Sequence, residues 1–133
     1  MSRENVEVVR ELYRAFSEGE TGGSFWALVD PDVEWVTDPM APDSGTYRGH
    51  EGIKALLESW TTTFDAFRAE VDTIRAYGDK VIVTARLVGR MKGGREELNQ
   101  PYAEVITIRD GKVLAIRDYS TEAEALEAVG LSE

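Results

Sequence analysis

Cysteine is absent from the 133 residues. That removes disulfides, thiolate nucleophiles and cysteine zinc sites together. Histidine occurs once, at His50, which leaves no His-rich metal site and no ordinary Ser-His-Asp triad, so neither a metal nor a cofactor is expected. Glycine-rich nucleotide loops and internal repeats are also missing. No apolar run approaches the ~20 residues that span a bilayer. The opening MSRENVEVVREL is charged and helix-patterned, without the apolar stretch of an export signal, and the chain reads as cytoplasmic. Positive charge is in short supply: 15 Lys and Arg stand against 25 Asp and Glu, a net charge of −10. Such a surface repels phosphate backbones and anionic lipid, so neither nucleic acid nor a membrane is an expected partner.

What is present is an ordinary globular composition, 42% hydrophobic and 30% charged. It suits one core and one domain over residues 1–133. Val6, Val9, Leu12, Tyr13 and Phe16 recur at three- and four-residue spacing, which predicts an amphipathic helix over 2–18, with Ser2 as N-cap and Gly19 as stop. SFWALV (24–29) predicts a short second helix ended by Asp30-Pro31, and VEWVT (33–37) a short strand closed by Asp38-Pro39. Residues 40–49, with Pro42, Gly45 and Gly49, read as a loop. A third helix is expected over 50–67, with Ile53, Leu56, Leu57, Trp60 and Phe64 on one face. The period then changes from 3.6 to 2. Strands are expected over 68–77, 80–91, 97–109 and 112–120, joined by turns at Gly78-Asp79, Gly93-Gly94 and Asp110-Gly111. Thr121 and Glu124 form a capping-box pattern ahead of a short last helix.

Consecutive strands with short turns run antiparallel, and a meander with its helices gathered on one side is an α+β fold. A twisted sheet cannot be sealed by helices along its whole length. The expected architecture is therefore a cone: a curved antiparallel sheet of about four long strands plus one short, three N-terminal helices over its concave face and a short C-terminal helix. A mostly apolar pocket for a small hydrophobic organic ligand would lie between sheet and helices. Alternation sorts the faces. Val81, Val83, Ala85 and Leu87 share one face of their strand; Ala103 and Val105 oppose Tyr102, Glu104 and Ile106; Ile116, Asp118 and Ser120 oppose Arg117 and Tyr119. Apolarity assigns Val83, Ala85, Leu87, Ala103 and Val105 to the pocket, and Thr84, Arg86 and Glu104 to a partly polar subunit interface.

Two acids stand out as candidate catalytic groups. Asp38 closes the short strand beside the loop that should rim the pocket. A carboxyl against apolar walls has a raised pKa and serves as a general base near neutral pH. The plain alternative is that Asp-Pro simply ends the strand. Asp118 points into the pocket by parity; its plain alternative is an ion pair with an arginine. Two carboxyls converging on one apolar hollow would push their pKa values apart and supply both an acid and a base. Tyr13, Trp35, Tyr47, Trp60 and Phe64 are the aromatic side chains that would hold a flat ligand, or that pack as ordinary core. His50, at a helix start, is expected on the surface.

FWALVDPDVEW (25–35), GTYRGHEGIKALLESW (45–60), DKVIVTARLVGR (79–90), the IRDGKVLAIRDY hairpin (108–119) and TEAEALEAVGL (121–131) follow one another in an order and spacing that resemble the SnoaL-like, polyketide cyclase-like branch of the nuclear transport factor 2-like superfamily. The resemblance covers essentially the whole chain. It implies the cone-shaped α+β fold and a homodimer through the outer sheet face. It also implies a company of polyketide cyclases, ketosteroid isomerases, epoxide hydrolases, dehydratases and non-catalytic binders. By that resemblance the isomerases' proton-shuttling aspartate falls on Asp38 and the cyclases' late-strand aspartate on Asp118. The isomerases' tyrosine falls on Leu12, with Tyr13 about 100° further round the helix, and their second acid falls on Ala103. The Asp-Arg-Asp set of the epoxide hydrolases finds Asp118 here, but Arg86 lies on the opposite face by parity. The expected function is that of a cofactor-free isomerase, cyclase or lyase acting on a hydrophobic carbonyl-bearing or polycyclic metabolite. Its rivals are a non-catalytic binder of a small hydrophobic ligand and a dimeric association domain.

Overall fold

The computed structural model describes residues 2–17, 23–38 and 44–130. The expected stop at Gly19 and most of the loop after Asp38 lie outside these residues. Helix α1 (Ser2–Ser17) and the short α2 (Gly23–Ala27) lead into strand β1 (Val29–Val36). A three-residue strand β2 (Thr46–Arg48) precedes helix α3 (Gly49–Thr63). Strands β3 (Phe64–Tyr77), β4 (Lys80–Met91), β5 (Glu97–Arg109) and β6 (Lys112–Tyr119) follow, and α4 (Glu122–Ala128) closes the order.

Three boundaries differ from the sequence expectation. β1 starts at Val29 and contains Pro31, which periodicity had placed at a helix end. The pairing with β6 shifts register between Val29 and Glu34, and such an irregularity is where a residue without an N–H fits into a sheet. Residues 46–48 form β2 inside the expected loop, paired with 34–36 of β1. α3 ends at Thr63 rather than Phe67. There the hydroxyls of Thr61 and Thr62 turn back onto the Glu58 carbonyl and that of Thr63 onto Ser59. β-Branched residues propagate a helix poorly and favour the strand that follows.

The sheet order is β2-β1-β6-β5-β4-β3. All neighbours are antiparallel except β1 and β6, which run parallel. Among the described residues the sheet is therefore mixed rather than purely antiparallel, and it carries six strands. β6 lies between β1 and β5, hydrogen-bonded on both sides. One bulge matters for the site: between Thr107 and Ile108 the β5–β6 register slips by a residue, leaving Leu114 without a partner.

α1 and α3 cover one face of the sheet. Val9, Leu12, Ile53, Leu56, Val83, Ile106 and Val113 pack there with almost no exposure. α4 covers part of the other face, where Ile82, Ala103, Val105 and Ala125 form a smaller cluster. The capping box at its start is formed as expected: Thr121 accepts from the Glu124 backbone, and the Glu124 side chain accepts from Thr121. Gly89 is required by a close approach, because a Cβ there would meet the Ala66 carbonyl oxygen at 2.8 Å and Phe67 Cβ at 3.0 Å. Among the described residues, no helix is long and apolar enough to cross a membrane.

Candidate functional site

Antiparallel partners share a face, so register decides what the helix-covered side holds. β4 and β5 pair Val81 with Ile106, Val83 with Glu104 and Ala85 with Tyr102. β5 and β6 pair Glu104 with Asp118 and Ile106 with Ile116. Glu104, expected at a subunit interface, therefore faces inward beside Asp118. Ala103 and Val105, expected in the pocket wall, lie on the outer face under α4. Val83 and Ala85 are on the expected side but fully buried in the core; Leu87 is on that side and half-buried.

Glu104 is only 6% exposed. The hydroxyl of Tyr13 donates to its Oε1, and the hydroxyl of Tyr102 stands 3.2 Å from that of Tyr13. Asp118 is a further hydrogen-bond partner of Glu104. On the far side of Asp118, the indole Nε1 of Trp35 donates to Oδ2 at 3.0 Å. Tyr13 is thus an inward residue, 9% exposed, and not one turned away from the site. A tyrosine on α1 and a buried acid on β5, which alignment by resemblance had set one residue off at Leu12 and Ala103, meet as Tyr13 and Glu104.

The proton count follows from donor and acceptor rules. Two carboxyl groups share a hydrogen bond only if one of them carries a proton. Burial holds the Glu104 pKa above the usual carboxylate range, and its bonds to Asp118 and Tyr13 work against that rise. Tyr13 is pushed well up by its own burial and then by the charge of Glu104. Tyr102 is raised for the same two reasons in the same order. The tyrosines therefore keep their protons at neutral pH. Tyr13 donates to Glu104 and Trp35 donates to Asp118, and the two carboxyls between them share one proton.

Asp38 is half-buried and accepts from the Ser120 hydroxyl. Ser120 directly follows β6, two residues beyond Asp118, so a single hydroxyl next to the strand end ties Asp38 to the segment that carries Asp118. Aromatic rings flank the acids. Trp60 packs edge-on against Trp35 (5.6 Å between centroids), Phe67 (5.9 Å) and Phe16 (6.2 Å), and Phe64 lies 5.8 Å from Phe67. Trp60, Phe64 and Tyr47 are half-buried; Trp35 is buried. His50 is half-buried too, not a surface residue: its Nε2 lies 2.9 Å from the Val29 carbonyl oxygen, and its ring lies against Trp26. Arg86 is on the outer face as expected, with Glu70 at 3.4 Å and Asp72 at 3.7 Å.

Sequence reasoning missed Glu104 and Tyr102. One signal was available: a lone acid inside the apolar run Ala103-Glu104-Val105-Ile106. A recess of about 220 Å³ lies on the outer face beneath α4, lined by Lys80, Val105, Thr107, Arg117, Tyr119 and Val129 among others. Among the described residues there is no group of three or more His, Asp or Glu side chains placed to hold a metal.

A SnoaL-like domain model matches residues 9–116, and the chain belongs to that family. Solved structures agree on the fold. An NTF2-like protein from Burkholderia xenovorans LB400 is 28% identical over 90% of both chains, with a TM-score of 0.74. TerC, co-crystallised with polyporic acid, is 25% identical over 96% of this chain and 98% of its own, with a TM-score of 0.79. A protein of ketosteroid isomerase-like fold from Catenulispora acidiphila DSM 44928, in complex with trimethylamine, is 20% identical over 94% of this chain and 93% of its own, with a TM-score of 0.72. No curated protein matches the chain.

Proposed function

We propose that the protein is a cofactor-free enzyme of the isomerase, cyclase or lyase type, moving protons on a hydrophobic carbonyl-bearing or polycyclic ligand held by the aromatic wall. One observation carries this reading: a buried carboxyl, Glu104, bonded between a tyrosine and a second carboxyl. Such an arrangement keeps one acid neutral and its neighbour anionic at the same pH.

Asp118 takes a proton from a carbon next to the carbonyl, and the C–H electrons move onto the carbonyl oxygen as an enolate. Once protonated, Asp118 no longer needs the hydrogen bond from Glu104. The Glu104 O–H, backed by Tyr13, is then free to donate to the enolate oxygen. Neutral donors aimed at developing charge in a dry site are a large part of such catalysis. Asp118 returns the proton to a second carbon, which completes an isomerisation or sets up ring closure. Asp38, further out and bonded to Ser120, exchanges protons with solvent. In the same reading the protein works as a homodimer through the outer sheet face.

The test uses flat aromatic ketones, with polyporic acid, the ligand of the relative TerC, as a binding probe. Tryptophan fluorescence reports binding, and exchange of ligand C–H in deuterated water reports proton abstraction. Asp118→Asn should keep binding within a few-fold and slow exchange by about 10²–10⁴-fold, the usual worth of a positioned general base. Exchange that persists in Asp118→Asn would refute the mechanism. Ligands that bind the wild type without any exchange would make the protein a carrier.

A further inference from the structure

We infer that Gln100 is a specificity-determining residue that hydrogen-bonds a neutral oxygen at the end of the ligand remote from its reacting carbonyl. The inference rests on the proposed reading of this sheet face as the ligand's seat, and it adds the ligand's length and its second polar group. It follows from what β5 presents on the helix-covered side beyond the acids.

Register lays that side out in rows. Ile106, Glu104, Tyr102 and Gln100 follow one another along β5, opposite Val81, Val83, Ala85 and Leu87 of β4. Exposure rises along the same line: Ile106 is sealed, Glu104 nearly so, Tyr102 is half-buried and Gln100 is exposed. The helices therefore cover the acids and leave the sheet open from Gln100 outward. Val71, paired with Ala85 on the same side, is 38% exposed although it is apolar. The next two rows hold Gln100, Leu87 and Ala69, then Leu98, Gly89 and Phe67. Gln100 is the polar side chain in an otherwise apolar floor, and no charged side chain stands in those rows. Among the described residues its amide has no hydrogen-bond partner.

The span sets the kind of ligand. Glu104 and Gln100 are four residues apart on one strand, roughly 13 Å, and their side chains stand on one face. A single ring bridges no such gap, whereas a flat fused-ring skeleton does. The aromatic wall has a matching reach. Trp35, bonded to Asp118, meets Trp60 at 5.6 Å, and Trp60 meets Phe67 at 5.9 Å, in the row beyond Gln100. A primary amide offers both donors and an acceptor, so it pairs with a hydroxyl or with a carbonyl oxygen. A carboxylate at that end would find no cation in the floor, on a chain whose net charge is −10. The outer end therefore selects a neutral oxygen.

The test measures binding of a tetrahydrophenanthrenone, with and without a hydroxyl on the ring remote from its carbonyl, to wild type and to Gln100→Leu. Tryptophan fluorescence reports the affinities. Wild type should favour the hydroxylated ketone by roughly 3- to 10-fold, the worth of one neutral hydrogen bond. Gln100→Leu keeps the bulk and loses the amide, so it should bind the two ketones alike. The position is exposed, where substitutions leave stability nearly unchanged. A replacement that merely disturbed the face would shift both affinities and leave their ratio, so the ratio isolates the contact. Three results overturn the inference: a wild type that binds neither ketone, a wild type without the preference, or a preference that Gln100→Leu retains. Exchange of ligand C–H in deuterated water separates this inference from the enzymatic one. A Gln100-dependent preference without exchange leaves this inference standing and removes the enzyme, and exchange without any such preference does the opposite.

Discussion

Tyr13→Phe removes a single oxygen from the middle of the acid network and leaves the ring in its place. Two contacts go with it, donation to Glu104 and the 3.2 Å approach of Tyr102. Glu104 remains buried with one fewer donor, and a buried polar group left short of a partner costs about 1–3 kcal/mol. Taking about 2 kcal/mol, and about 0.28 kcal/mol/K for the unfolding entropy of a 133-residue chain, the melting temperature should fall by roughly 7 °C. The pH dependence has a definite sign. The Tyr13 bond holds the Glu104 pKa down against burial, so it favours the ionised form over the neutral one. Its loss therefore costs a constant amount while folded Glu104 keeps its proton, and more once pH rises through the folded pKa. Calorimetric melts of wild type and variant across that range measure the difference. A difference that shrinks as pH rises, or a melting temperature equal to wild type, would refute the donor assignment.

Glu104→Gln should flatten the pH profile of stability. The wild-type pKa is raised on folding, so its folded state holds the proton longer and stability falls as pH climbs above about 4.3. Gln does not titrate, accepts from Tyr13 and donates to Asp118, so urea midpoints should move in the variant's favour between about pH 4 and pH 7. Leu56→Ala, at a fully buried α3 position, should cost about 2–5 kcal/mol in chemical unfolding. Gly89→Ala should cost about 1–3 kcal/mol in the same assay, because the new methyl meets the Ala66 carbonyl at 2.8 Å and strands cannot separate locally without losing ladder bonds.

Much of the fold was legible in the sequence because its signals are local. The apolar spacing on α1, the turns at Gly78-Asp79 and Asp110-Gly111 and the Thr121–Glu124 cap each depend on a few adjacent residues. The site was legible only in half. Asp118 was placed inward by parity on its own strand, and that holds. Glu104 was placed outward, because parity says nothing of how one strand aligns with the next. Counting back from the Asp110-Gly111 turn without interruption sets Asp118 opposite Ala103. The bulge at Leu114 adds one residue and sets it opposite Glu104 instead. No local pattern marks that bulge. Ala103 and Val105 were placed inward on apolarity alone, and apolar side chains suit the underside of α4 equally well. Pro31 misled for a different reason: a proline reads as a break, and here it is absorbed in an irregular stretch of β1.

The acids and the rings belong to different parts of the molecule. Glu104 and Asp118 ride on neighbouring strands in the sheet interior, whereas Phe16, Trp60 and Phe67 come from α1, α3 and the edge strand β3. Exchanging a ring for a smaller or more polar side chain would therefore alter the apolar wall while leaving the carboxyl spacing alone. Under the proposed function, that separation lets the ligand change while the acid pair stays as it is.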